Sequence, residues 1–151
     1  SVHDARQCHV LVFIDLDRFK AVNDSAGHAA GDALLRELSA LMLSMLRSSD
    51  MLARLGGDEF GALLVGCDLE RARVIASELI AAVDEYVFVS DGKRFSVGIS
   101  IGLTRISADH AGITEIIGEA DCACYWAKAQ GRNCVSTALD PPADRPFPLE
   151  S

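Results

Sequence analysis

The sequence has few basic residues, and this shortage excludes one broad class of partner. Its 151 residues include 14 Lys or Arg against 22 Asp or Glu, which gives a formal net charge of −8. Because coating a nucleic-acid backbone requires clustered Lys and Arg, this balance argues against a nucleic-acid polymer as partner. A single nucleotide stays open, since a few placed groups and a metal ion can hold one.

Long apolar runs are also missing. Uninterrupted stretches such as residues 10–14 fall far short of the ~18 residues that a bilayer-spanning helix needs, and no signal-peptide pattern opens the chain. We therefore expect no direct membrane contact from this segment. Half of the residues are hydrophobic, which excludes a disordered chain, and the length suits one domain with a substantial core.

The five cysteines form no CxxC pair, and the spacing of Cys122 and Cys124 is poor for a zinc knuckle. An odd, scattered set of cysteines indicates reduced and mostly buried thiols. The expected location is the cytoplasm, or the cytoplasmic part of a membrane-anchored protein.

Hydrophobic periodicity and turn residues predict an alternation of strands and helices. The first half of the chain is predicted to form a strand over 10–14, a short helix from Asp17 ended by the breakers at 23–27, a helix over 29–47, and strands over 51–55 and 59–65 around Gly56-Gly57. The second half is predicted to form a helix from an Asp68 N-cap to Val83, strands over 86–90 and 94–106 around Asp91-Gly92, a helix over 113–129 and a strand over 133–137.

Hairpins mixed with crossover helices indicate an α+β fold. The order fits a ferredoxin-like arrangement of the nucleotide-cyclase and polymerase-palm type, with a mainly antiparallel central sheet covered by helices. All four prolines lie between residues 141 and 148. We therefore expect a domain over 1–139 and a proline-rich linker or tail over 140–151.

Two acidic clusters flank predicted structural breaks. Asp15-Leu16-Asp17 ends the first strand, and Asp58-Glu59 directly follows the diglycine. Carboxylate oxygens are the ligands that hard cations such as Mg²⁺ take, and glycine allows a phosphate to approach the backbone closely. The pattern favours a metal–phosphate site. The simpler interpretation is that these acidic residues are only solvated residues of turns.

Five ordered motifs, spanning about residues 10 to 137, resemble the GGDEF domain of diguanylate cyclases. They are Phe13-Ile-Asp-Leu-Asp-Arg-Phe-Lys20 with Asn23-Asp24, Gly27-His28 with Gly31-Asp32, Arg54-Leu-Gly-Gly-Asp-Glu-Phe60, Ser100-Ile-Gly102, and Ala120-Asp121 with Tyr125-Trp-Ala-Lys-Ala-Gln-Gly-Arg-Asn133.

The resemblance implies an enzyme that condenses two GTP molecules into cyclic di-GMP and releases two pyrophosphates. Each protomer of a homodimer would hold one GTP. It also implies Mg²⁺ or Mn²⁺, two ions per site, held by Asp15, Asp58, Glu59 and the backbone carbonyl of Leu16. Asp58 and Glu59 are the implied catalytic residues, with Asp58 helping to deprotonate the attacking 3′-hydroxyl.

The resemblance assigns guanine recognition to Asn23 and Asp32, whose side chains suit the donor-rich edge of guanine. As an isolated residue, Asp32 would instead be an acid favoured by the dipole at a helix N-terminus. His28 is expected either near the nucleotide or as a cap of the helix.

The phosphates are expected to contact Lys20, Lys128 and Arg132, together with backbone N–H groups around Phe19 and Lys20. Since Lys128 and Arg132 are four residues apart, we expect them on one face near the end of the last helix. There they could also offset the C-terminal dipole of that helix.

Arg47-Ser-Ser-Asp50 matches the RxxD motif through which the family's product inhibits the enzyme. Arg47 would bind phosphate or the guanine Hoogsteen edge, and Asp50 would accept from the guanine amino group. A second arginine usually completes this inhibitory site, and Arg71 and Arg73 are both candidates.

One family segment, similar to Asp-x-Leu-Thr-Gly-Leu-x-Asn-Arg, is not found in residues 1–9. We therefore expect a fragment that lacks its usual N-terminal segment, with further sensory or EAL-type domains in the full-length chain. Two other functions stay open. One is a catalytically silent module that senses GTP or cyclic di-GMP and regulates an adjoining EAL-type phosphodiesterase. The other is a related enzyme that uses another nucleotide.

Overall fold

The computed structural model describes residues 8–138, so the predicted tail over 140–151 lies outside the described residues. The elements in chain order are β1 (His9–Asp17), α1 (Phe19–Ala26), α2 (His28–Ser44), β2 (Met51–Gly56), β3 (Glu59–Val65), α3 (Leu69–Glu85), β4 (Phe88–Ser90), β5 (Lys93–Phe95), β6 (Gly98–Arg105), α4 (Ile113–Ala129) and β7 (Val135–Thr137).

A five-stranded sheet with the order β2-β3-β1-β6-β7 forms the centre of the domain. The first four strands pair antiparallel, and β6 pairs with β7 in parallel. Strands β4 and β5 form a separate two-stranded ribbon. The expected α+β fold with a mainly antiparallel, helix-covered sheet is confirmed.

Strand β1 is apolar because helices cover both of its faces. Val10, Val12 and Ile14 are almost fully buried in the larger core, which α2 and α3 complete. Phe13 faces the other way, into a smaller cluster with Ala120 and Cys124 of α4. The burial on both sides makes β1 a rigid support for whatever its C-terminal end carries.

Helix α4 lies unusually close to the sheet at Gly102. A Cβ atom there would lie 2.0 Å from the carbonyl oxygen of Ala120 and 2.3 Å from the backbone nitrogen of Cys124. Since no side chain fits this space, Gly102 sets the depth at which α4 packs on β6.

Several of the predicted element boundaries are wrong. Strand β1 extends to Asp17 beyond the predicted 10–14, and α2 ends at Ser44 before the predicted residue 47. The strand expected over 94–106 is broken after Phe95, because Phe95 pairs with Phe88 in the ribbon while Gly98 begins the pairing with β1. The first helix does not begin at Asp17, because β1 continues to that residue and α1 begins at Phe19. Its end within the breakers at 23–27 is confirmed, since α1 stops at Gly27, whose φ of 93° is left-handed.

Several helix and strand boundaries agree with the sequence pattern. Helix α4 and strand β3 have the predicted bounds, and Asp68 caps α3 by accepting from the backbone N–H of Arg71 at 2.8 Å. None of the helices within residues 8–138 combines the length and apolarity needed to cross a bilayer.

Candidate active site

The pairing of β1 with β3 brings the two acidic clusters together. Asp15 stands opposite Glu59 in the antiparallel register, and the backbone N–H of Leu16 donates to the carbonyl oxygen of Asp58 at 3.1 Å. The diglycine turn makes this possible, because Gly57 has a φ of 49° and returns the chain tightly from β2 to β3. Carboxylates more than forty positions apart in the sequence therefore share one edge of the sheet.

The negative charges of Asp15, Asp58 and Glu59 exceed the positive charge of the neighbouring Lys128. Partial burial raises the pKa of Asp15, and the nearby charges of Asp58 and Asp17 add to the rise, against the opposing effect of Lys128. Burial also raises the pKa of Glu59, followed by the charges of Asp15, Asp121 and Asp58. An oxygen-only donor set with excess negative charge fits a hard divalent cation.

Lys128 provides the cation closest to this cluster. It lies in the last turn of α4, and its Nζ is 2.5 Å from Oδ2 of Asp15. Burial alone would lower the pKa of Lys128, but the hydrogen bond and charge of Asp15 raise it above its usual value. The ammonium group is therefore held charged, beside the expected position of the phosphates.

The prediction that Arg132 shares a helix face with Lys128 is wrong. Helix α4 ends at Ala129, and Arg132 follows Gly131 with a left-handed φ of 64°. Its Nη1 lies 3.3 Å from Oδ1 of Asp17. The two cations nevertheless contact the alternate carboxylates of one strand, Lys128 at Asp15 and Arg132 at Asp17.

Asp17 has a role that the sequence interpretation missed. Its side chain is buried and accepts from the Oγ of Ser100 at 2.9 Å and from the backbone N–H of Asn133 at 3.2 Å, besides its contact with Arg132. Asp17 thus ties β6 and the loop after α4 to the end of β1. The sequence could have indicated this role, because Asp15 and Asp17 are two residues apart on a strand and therefore share a face.

Asp121 was missed as a member of the charge cluster. It is partly buried on α4, its pKa is raised by burial against the effect of Lys128, and its charge acts on Glu59. Its spacing of seven residues, two helical turns, from Lys128 could have identified it as lying on the same helix face.

The packing of α1 on α2 places Asn23 against Gly31, the residue that precedes Asp32. A Cβ atom at Gly31 would lie 1.9 Å from Oδ1 of Asn23, so the amide of Asn23 rests directly on the glycine that precedes Asp32. Asp32 is exposed, and no acidic residue lies in the first turn of α2. The helix-dipole interpretation of Asp32 is therefore not supported.

His28 is the first residue of α2 and is exposed, but the N-cap position is Gly27 and no side chain caps the helix. The capping interpretation of His28 is wrong, whereas a position near a nucleotide stays a prediction.

Phe19 and Lys20 are the first two residues of α1. Their helix starts after Arg18, which has a left-handed φ of 69°, and no side chain caps it. The N–H groups in a first helical turn have no intrahelical acceptor, so they are available to a phosphate. Phe19 is buried, while Lys20 is exposed.

Arg47 and Asp50 form a closed turn between α2 and β2. The Asp50 carboxylate accepts from the Arg47 guanidinium, at 2.9 Å for Nη2, and from the backbone N–H groups of Arg47 and Val65. The Asp50 side chain is 1% exposed and the Arg47 side chain 53%. Only the arginine presents a large polar surface to solvent.

These features define an α+β domain of the palm type with a carboxylate centre at one edge of its sheet. The chain belongs to the GGDEF domain family. Residues 1–134 match the family model described as "Diguanylate cyclase, GGDEF domain". The resemblance inferred from the motifs is confirmed.

The similar proteins agree with this assignment. The chain is 60% identical over 136 residues to the probable diguanylate cyclase DgcE of Escherichia coli, covering 90% of this chain and 12% of that protein. It is 40% identical over 127 residues to the cyclic di-GMP phosphodiesterase PdeB of Shewanella oneidensis, covering 83% of this chain and 15% of PdeB. This domain is therefore similar to a small part of much longer proteins.

A solved structure supports the fold directly. The isolated GGDEF domain of TpbB from Pseudomonas aeruginosa superposes with a TM-score of 0.81 at 37% identity, covering 91% of this chain and 80% of that one.

Proposed function

We propose that this domain condenses two GTP molecules into cyclic di-GMP, with release of two pyrophosphates, as one half of a homodimer. The observation that carries the proposal is the carboxylate cluster of Asp15, Asp58 and Glu59, joined by the β1–β3 pairing and bordered by Lys128. A domain with a purely structural role would have no need to concentrate partly buried carboxylates with raised pKa values at one edge.

The donor set fits Mg²⁺ or Mn²⁺, because it consists of carboxylate and carbonyl oxygens. We assign two ions to Asp15, Asp58, Glu59 and the backbone carbonyl of Leu16. When bound, such ions neutralise triphosphate charge and lower the pKa of the 3′-hydroxyl. They would also lower the raised pKa values of Asp15 and Glu59.

The protein's own groups position the nucleotide. We expect Lys128 to contact the phosphates once its ion pair with Asp15 opens. We expect Arg132, which is paired with Asp17 at the end of β1, to contact them as well. The first N–H groups of α1, at Phe19 and Lys20, have no intrahelical acceptor and can donate to phosphate oxygens. Asp58 is the proposed proton acceptor for the 3′-hydroxyl.

Guanine selectivity is assigned to Asn23 and Asp32. A carboxylate accepts from the N1–H and the amino group of guanine, whereas adenine lacks that donor edge and would leave the acceptor unpaired. The Asn23 amide lies against Gly31, the residue before Asp32, which supports the proposal that the two side chains read one base.

Product inhibition is assigned to the RxxD turn, with Arg47 as the residue that contacts the ligand. Asp50 is buried and fully engaged, so its function in the free domain is to orient Arg47. We assign the second arginine to Arg71, because it is exposed in the first turn of α3, which begins four residues after Val65, and the Val65 carbonyl accepts from the guanidinium of Arg47. Arg73 instead donates to Oγ1 of Thr137, and its neighbour is β7.

A second candidate is a regulatory module that binds GTP or cyclic di-GMP and controls an attached EAL-type phosphodiesterase domain. The similarity to PdeB, a protein named as a phosphodiesterase, favours it. Cytoplasmic location and attachment to further sensory or EAL-type domains are parts of both proposals.

Turnover separates the two candidates. The full-length protein, freed of bound cyclic di-GMP, is incubated with GTP and Mg²⁺ and the product is identified by mass. The cyclase proposal predicts cyclic di-GMP from GTP and no cyclic dinucleotide from ATP. If the dimeric protein binds GTP and forms no product, the regulatory module is the correct assignment.

A further inference from the structure

A second group of potential metal ligands lies where the loop after β6 meets the first turns of α4. It consists of His110, Glu115 and Glu119, which we call the loop cluster. An α-helix rises about 1.5 Å per residue, so Glu119 lies about 13.5 Å along α4 from Lys128. Asp121 is only two residues from Glu119, but successive helical residues turn by about 100°, so the two residues lie on different faces of α4. The loop cluster is thus separate from the carboxylate centre on β1 and β3.

The three side chains converge on one point. One potential ligand atom from each residue lies within 4.8 Å of the other two. Glu115 and Glu119 are four residues apart in the first turns of α4 and share a helix face. Nε2 of His110 contacts the carboxylate of Glu119, and the His110 side chain is only 9% exposed.

Backbone groups hold two of these side chains in place. Nδ1 of His110 accepts from the backbone N–H of Ser107 at 3.1 Å and lies 3.2 Å from the carbonyl oxygen of the same residue. In this arrangement Nε2 carries the ring proton towards Glu119. An ion bound at Nε2 would require the proton on Nδ1, where the Ser107 carbonyl can accept it. Glu115 accepts from the backbone N–H of Ala111 at 3.1 Å. Such outer contacts are typical of histidine and carboxylate ligands in metal sites.

A cavity of about 260 Å³ adjoins the loop cluster. All three residues of the cluster line it, together with Arg105 and Asp109, whose charges oppose each other. The cavity gives an ion a route to the three side chains and leaves room for water to complete its coordination.

We propose that the loop cluster binds a divalent transition-metal ion of the zinc class, with His110, Glu115 and Glu119 as its protein ligands. One imidazole and two carboxylates form a nitrogen–oxygen set that suits Zn²⁺ and similar ions, whereas Mg²⁺ takes oxygen ligands. A simple ion pair would need only His110 and Glu119. Glu115 adds a second carboxylate to the same point, which a divalent cation neutralises.

Cobalt binding tests the proposal, because Co²⁺ is a coloured substitute for Zn²⁺. The protein is titrated with Co²⁺ in excess Mg²⁺, and binding is followed by calorimetry and by the visible absorption of the ion. We expect one site with nitrogen–oxygen coordination that lacks the intense charge-transfer band of a cobalt–thiolate bond. Glu115→Gln and His110→Gln should each weaken this site at least about tenfold.

The matched control is Glu70→Gln. Glu70 occupies the first turn of α3 as Glu115 occupies the first turn of α4, and both are exposed, so the two variants lose the same charge in the same helical context. In Glu115→Gln the new amide retains an oxygen for the Ala111 N–H, and circular dichroism checks that the variants fold. Equal Co²⁺ affinity in Glu115→Gln, His110→Gln and wild type would overturn the proposal, as would a thiolate spectrum.

Discussion

At the scale of single residues, the end of β1 holds two carboxylates with different surroundings. Asp15 lies at the edge, where Lys128 is its cationic partner. Asp17 is buried and receives hydrogen bonds from Ser100 and from the backbone of Asn133, besides its contact with Arg132. We infer that Asp15 serves the ligands directly, while Asp17 positions the loop that carries Arg132.

Asp17→Asn tests the positioning role. The amide replaces an acceptor with a donor that faces other donors, so we expect the free energy of unfolding to fall by about 1–3 kcal/mol. The loosened loop should raise the KM for GTP by about tenfold with a smaller change in kcat. Denaturant unfolding and initial rates measure the two effects.

The control for this variant is Asp91→Asn, since Asp91 is exposed in the turn of the separate β4–β5 ribbon and Asn tolerates its left-handed φ of 49°. If the Asp17→Asn protein is destabilised but keeps the wild-type KM for GTP, the positioning role of Asp17 is contradicted.

Gly31→Ala tests the guanine assignment at the same scale. The new Cβ would lie 1.9 Å from Oδ1 of Asn23, so the Asn23 amide must move away. We expect the KM for GTP to rise about tenfold through loss of a base contact. Adding Asn23→Ala to Gly31→Ala should cause no further loss, because both changes remove one interaction.

Gly118→Ala is the matched control, because a Cβ at this helical glycine meets no atom within 4 Å. Additive effects of Gly31→Ala and Asn23→Ala on the KM would contradict the proposed contact.

At the scale of elements, the sequence predicted best where a strong local pattern decides the structure. The bounds of α4 and β3 followed from periodicity, and Asp68 was recognised as an N-cap. The β5–β6 break was missed, because residues 94–106 favour strand throughout and only pairing with different partners divides them. The position of Arg132 was predicted wrongly because helix spacing does not hold beyond the end of α4 at Ala129.

The RxxD turn connects α2 to β2 and β3, and its stability should depend on pH. Burial raises the pKa of Asp50, but hydrogen bonds from Arg47 and Val65 outweigh this and hold the pKa below its ordinary value. The stabilisation is therefore fully present above the pKa of an unfolded aspartate and is lost as the pH falls through the lowered folded value.

We expect Asp50→Asn to reduce the free energy of unfolding by about 1–3 kcal/mol at neutral pH. The difference from wild type should shrink in acid as Asp50 becomes protonated. Urea unfolding measured across the acid range checks this, and a difference that stays constant with pH would contradict the ionised state of Asp50.

At the scale of the whole molecule, the net charge of −8 is compatible with the proposed nucleotide function. Part of the acidic excess lies in the carboxylate cluster, where bound cations would let a triphosphate approach. The sequence motifs predicted which residues form this cluster, since Asp15, Asp58 and Glu59 do meet across β1 and β3. Residue spacing could have placed Asp17 and Asp121 on the correct faces of β1 and α4, but their partners depend on packing between β1, β6 and α4 and could not be predicted.

The central claim is that Asp15, Asp58 and Glu59 form the reaction centre. Its most direct test is the rate of cyclic di-GMP formation by the dimeric full-length protein carrying Asp15→Asn, Asp58→Asn or Glu59→Gln, compared with Glu78→Gln on the exposed surface of α3. Each cluster variant should keep its fold and lose at least about a hundredfold in rate, while Glu78→Gln keeps the wild-type rate. Wild-type rates in the folded cluster variants would contradict the account.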